Sequence, residues 1–258
     1  MIKPGPIVLC LAALLCGCGG AQTQPAETGL RDLKPSERPG LRTQLIETMV
    51  DAKAYDSAVP LLRQALREQP KSARLHYLLA TVLRERGRLE QAESEFGVAL
   101  TLSPKLGLAH TGLGMTLNLL GRHADATASH RRAVALTARS GRVHNNLGFS
   151  LYLQGNFADA EAAYESAIRA DPQLRIAYVN LGFALAAQDK IKAARRAFSQ
   201  VLTPAEVTNN LAVAKELRGD DASARNLYKA ALVLDPGLKD AITNLSAISA
   251  PEKTEEER

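Results

Sequence analysis

The chain has 258 residues, no tryptophan and few other aromatics, and carries a net charge of +5 with a pI near 9.2. Its three cysteines, Cys10, Cys16 and Cys18, all fall near the start, so the rest of the chain has no disulfide, thiolate metal site or cysteine nucleophile. The basic balance includes no basic run interleaved with aromatics and no nucleic-acid module, so no nucleic-acid partner is expected.

In chain order, residues 1–20 read as a targeting segment: Lys3 gives a basic start, and an apolar run over 7–16 is followed by small residues. As a helix that run would cover roughly 15 Å, half of a bilayer core of ~30 Å, which makes it a leader and not a span. The end of the run, Leu15-Cys16-Gly17-Cys18, resembles a bacterial lipobox. That resemblance implies a signal peptide over 1–17 and lipidation at Cys18, because the small Gly17 suits the position before the cut. An ordinary secretory leader with incidental cysteines is the alternative. Gly19 in place of an aspartate resembles the sorting pattern for the outer membrane. Residues 18–40, rich in Pro, Gln, Thr and Glu, are expected to form a disordered tether.

Beyond it, a unit repeats. Over 142–172 the chain reads His144-x2-Leu147-Gly148-x2-Leu151, then Gly155-Asn156, Ala160-x3-Tyr164-x2-Ala167 and Asp171-Pro172. The spacings of three and four predict two helices, each with one packed face, joined by a turn and ended by proline. The Ala160 position recurs as Ala58, Ala92, Ala126 and Ala194 at steps of 34, and as Ala224 after a step of 30. The Tyr164 position gives Leu62, Phe96, His130, Phe198 and Tyr228, and the turn glycine recurs as Gly87, Gly121 and Gly219, with Lys53 and Asp189 replacing it in repeats one and five. The pattern resembles the tetratricopeptide repeat family. It implies an all-α, right-handed solenoid of six helix-turn-helix repeats over 41–238, a capping helix over 239–250 and a solvated tail over 251–258. Repeat one is the most atypical, with Ile46 where a small residue is expected. Repeat five is short: Leu202-Thr203-Pro204 runs straight into the next helix, which should alter the local twist.

No phosphate loop, nucleophile elbow or paired-carboxylate motif appears, and no cofactor, metal site or catalytic residue is expected. His76, His110 and His144 are spaced by 34 and occupy the position of Tyr178, so the repeat alone explains them as packing residues, one per repeat. His130 stands where Phe96 and Tyr164 stand, and His123 follows a turn. A better candidate site is a row of asparagines just before the Leu of the Leu-Gly pair: Asn146, Asn180, Asn210 and Asn244, doubled by Asn145 and Asn209. In tetratricopeptide folds the first helices line a concave groove, and the row resembles the asparagine ladders by which some members hold an extended peptide, since an amide matches both backbone N–H and C=O. Arg142, Phe149, Tyr152, Phe183 and Glu216 would lie beside it and read side chains. Alternatively, these asparagines serve the solenoid itself.

The run 142–218, with Asn145-Asn146-Leu147-Gly148 and Pro204-Ala205-Glu206 followed by Asn209-Asn210-Leu211-Ala212, looks like the TadD lipoproteins of tight-adherence (Flp) pilus loci. The resemblance implies a non-enzymatic lipoprotein on the periplasmic face of the outer membrane, needed for pilus or secretin assembly, with a secretin or pilus-assembly subunit as partner. The type IV pilus pilotins are the nearest competitor, and a general envelope chaperone or scaffold is a further reading.

Overall fold

The computed structural model describes residues 38–249; the expected leader, Cys18, most of the tether and the tail lie outside them. Among the described residues there are thirteen α-helices and no strands. They pair as α1 (Arg38–Asp51) with α2 (Tyr55–Glu68), α3 (Ala73–Glu85) with α4 (Leu89–Leu102), α5 (Gly107–Leu119) with α6 (His123–Leu136) and α7 (Gly141–Leu153) with α8 (Phe157–Ala170). Then come α9 (Arg175–Ala187) with α10 (Ile191–Phe198), α11 (Pro204–Glu216) with α12 (Asp221–Leu234), and a last helix α13 (Lys239–Ser249). The first helix begins at Arg38, inside the stretch read from sequence as tether. None of these helices is long and apolar enough to cross a membrane.

The repeat positions form the core. Ala58, Ala92, Ala126, Ala160, Ala194 and Ala224 are all fully buried, as are the six large residues four positions later, from Leu62 to Tyr228. The small residue of each first helix lets the bulky one approach. A Cβ added at Gly148 would stand 2.7 Å from the Tyr164 ring, and one at Gly182 2.3 Å from Phe198, far inside van der Waals contact. In repeat one the pairing is inverted: Ile46 is fully buried against Leu62, a smaller partner than an aromatic ring.

Each repeat turns through one residue in the left-handed region, which glycine adopts without steric cost. Gly87, Gly121, Gly155 and Gly219 have φ between 73° and 76°, and Lys53 (58°) and Asp189 (62°) adopt the same conformation despite their Cβ atoms. Asp189 is also held from outside the turn, by Arg218 Nη1 at 2.7 Å.

Each first helix touches the first helix of the next repeat, from α1–α3 through α11–α13, whereas no second helix touches the next second helix. The first helices therefore form the tighter, inner layer of the curve and the second helices its splayed outer layer. The residue just past α3, α7 and α9 binds the preceding repeat. Arg86 pairs with Asp56, Gln154 Nε2 donates to Thr127 Oγ1 at 2.6 Å, and Gln188 Nε2 donates to Glu161 Oε2 at 2.7 Å. Repeat five is short as expected: α10 has 8 residues and the other second helices 14. Thr203 then starts α11 with a capping box, accepting from Glu206 N at 3.3 Å while its own N–H donates to Glu206 Oε2 at 2.7 Å.

Candidate inner groove

The face of each first helix turned toward the inner side is fixed by helical spacing. On α7 one stripe carries Arg142, Asn146, Phe149 and Leu153; on α9 the same register carries Ile176, Asn180, Phe183 and Ala187. On α11 it carries Glu206, Asn210 and Val213, with Leu217 just beyond its end, and on α5 Leu108, Met115 and Leu119.

This stripe exposes apolar side chains on successive repeats. Leu108, Met115, Leu119, Phe149, Leu153, Ile176 and Leu217 are all exposed, Leu119 by 63% and Phe149 by 44%. A run of apolar residues left in water across four successive repeats marks a surface that something covers. Toward the N-terminus the lining turns polar: Arg74 donates to Glu47 at 2.6 Å and lies 5.1 Å from the centre of the Tyr77 ring. Arg142 is exposed and forms no ion pair among the described residues, leaving one cation beside the apolar stretch.

The asparagines divide into two sets. Asn145 and Asn209 are buried, and each accepts a hydrogen bond from the next repeat: Asn180 Nδ2 donates to Asn145 Oδ1 at 2.9 Å, and Asn244 Nδ2 to Asn209 Oδ1 at 3.3 Å. These bonds join α7 to α9 and α11 to α13. The residue of α9 in the place of Asn145 is Val179, which cannot accept, and Asn210 instead accepts from its neighbour Asn209 Nδ2 at 3.3 Å. Asn146 alone of the six makes no side-chain hydrogen bond among the described residues. The row is therefore in large part a stitch between repeats, with Asn146 and the unused groups of Asn180 and Asn210 left half-exposed.

The other expected residues are also divided. Phe149 projects into the groove. Phe183 leans edge-on against Phe198, centroids 5.2 Å apart, and is partly core. Tyr152 packs against Phe157 with the rings tilted by 59° and their centroids 5.3 Å apart, and burial pushes its hydroxyl pKa up. Glu216 accepts from Tyr228 Oη at 2.5 Å, so its carboxylate is committed within repeat six. The spaced histidines do not converge. His76, His110 and His144 each donate from Nε2 to the carbonyl six residues back, Pro70, Pro104 and Ala138, at 3.0, 2.9 and 2.8 Å, fastening each first helix to its inter-repeat loop. Sequence reasoning missed most of the apolar stripe. Its signal was the near absence of charge around all sides of α5 and α9, more apolar surface than one buried face requires.

Models of the tetratricopeptide repeat match residues 49–105 and 141–174. Among solved structures, the chain is similar to PilF of Pseudomonas aeruginosa (21% identity, TM-score 0.64, covering 82% of this chain and 98% of that one). It is also similar to PilW, described as a widely conserved type IV pilus biogenesis factor (20% identity, TM-score 0.65, 80% and 98% covered). A third is YrrB, a tetratricopeptide-repeat protein with an unusual peptide-binding site (18%, TM-score 0.55, 72% and 97% covered). At these identities the likeness is one of fold. No curated protein sequence matches the chain.

Proposed function

We propose that this chain of tetratricopeptide repeats is a non-enzymatic assembly factor that holds a segment of a partner protein in its inner groove. In this reading it is anchored through lipid on Cys18 at the periplasmic face of the outer membrane and serves assembly of a tight-adherence pilus or its secretin. The observation that carries the binding is the apolar stripe from Leu108 to Leu217 on successive first helices. Its chemistry suits an apolar or amphipathic segment, with Arg142 and the free groups of Asn146 and Asn180 orienting it. The amides contribute less grip on a peptide backbone than a fully open ladder would, because Asn145 and Asn209 are occupied by the solenoid. The anchor is supported by Leu15-Cys16-Gly17-Cys18 and Gly19. The pilus assignment is supported by the resemblance of 142–218 to the TadD lipoproteins and by a fold shared with PilF and PilW.

A photoreactive residue at position 149, in the native cell, tests the groove. Capture of a secretin or pilus-assembly subunit, abolished by Leu153→Asp, is the expected result. Capture of many unrelated envelope proteins would replace the dedicated factor by a general chaperone, and no capture would remove the groove reading.

A further inference from the structure

Repeat five opens a second surface on the outer side of the solenoid. With α10 reduced to 8 residues, the chain turns into α11 where the other second helices continue, and a cleft of about 520 Å³ lies between α8 and α10. Its floor is the outer face of α9, Leu181 and Leu185, and its walls are Ile168 of α8 and the small Ala193 and Ala197 of α10. Its rim is cationic on balance, two arginines against Glu165. Arg169 and Arg196 stand exposed on opposite sides; Arg169 Nη2 donates to Ser166 Oγ at 2.8 Å, and its pairing with Glu165, at 3.8 Å between exposed groups, contributes little. Arg196 makes no ion pair among the described residues; α10 carries Lys192, Arg195 and Arg196 and no acid at all.

We propose that this cleft is a second docking site, taking a segment of a partner protein that presents apolar side chains flanked by carboxylates. It is separate from the inner groove and stands whether or not the groove reading does. The apolar atoms form the floor of a shallow, open cleft that a protruding segment fills. Guanidinium groups on both rims match carboxylates bidentately, and a basic segment would meet net like charge, since Glu165 offsets only one of the two arginines.

The test is fluorescence anisotropy of the purified chain with a labelled peptide of leucine and glutamate at helical spacing, beside the same peptide with lysine for glutamate. The acidic peptide binds and the lysine peptide does not. Arg196→Glu weakens binding roughly tenfold, about the effect of one lost and inverted charge pair. Ala193→Leu, which narrows the cleft without altering charge, weakens it as well. All of this is read on the Phe149→Asp background, so that the inner groove, which also suits an amphipathic segment, does not contribute. Absence of binding, equal binding of both peptides, or indifference to Arg196→Glu and Ala193→Leu would each overturn the proposal. None of these outcomes bears on the crosslink from position 149.

Discussion

His130 occupies the seat that Phe96, Tyr164, Phe198 and Tyr228 fill in other repeats, fully buried with neither ring nitrogen finding a partner among the described residues. A Cβ at Gly114 would lie 2.6 Å from its ring, so the imidazole is pressed against α5. Burial holds its pKa down, from 6.5 to about 4. The unfolded chain therefore takes up a proton before the folded one. Stability from this residue is full above pH 6.5, falls as the pH drops through the interval between 6.5 and about 4, and levels off below it. The whole loss is on the order of 3 kcal/mol. His130→Phe should raise stability at pH 5 more than at pH 8 and flatten that part of the profile, read by urea denaturation across the range; a profile unchanged by the substitution would mean that His130 is reached by water.

The junction between α10 and α11 concentrates the fold's departure from its own period. Its four missing residues are compensated by the capping box at Thr203 and Glu206, whose carboxylate pKa is held down chiefly by the Thr203 backbone N–H. Thr203→Ala should cost about 1 kcal/mol and raise the pKa of Glu206 only in part, since alanine keeps the backbone N–H and removes the hydroxyl alone, seen by denaturation and by NMR titration. A loss of a few tenths would mean that Pro204 alone starts the helix. The shortened repeat, the small–large pairs of the core and the turns of Lys53 and Asp189 were legible in the sequence, because each is set by spacing within one repeat, whereas the capping box went unread. What else was not legible depends on the neighbouring repeat. The stitch of Asn180 to Asn145 needs the actual offset between α7 and α9, the bonds of His76 and His110 need the path of a loop, and the outer cleft needs the geometry left after α10 ends early. The apolar stripe lay between these cases: its residues were in view, but only the curvature told inner from outer.

As a whole the molecule is nearly one-dimensional, each repeat resting on the two beside it, so its stability should be graded along the chain and not uniform. Hydrogen exchange should protect α7, α8 and α9 longest. These helices hold neighbours on both sides and are joined by Asn180–Asn145, Gln188–Glu161 and Lys190–Glu161. Amides of α1 and α13, each covered from one side, should exchange first. Uniform protection from Ile46 to Leu245 would instead mean that the solenoid opens as one unit.

The position of α9 ties these properties together. One helix thick, it shows Ile176 and Phe183 to the inside of the curve and supports Leu181 and Leu185 on the outside. It is a common wall, and a wall has no private side: a partner that tilts it from within reshapes the recess without. Any tension along the chain is borne at this place by the shortest of its struts.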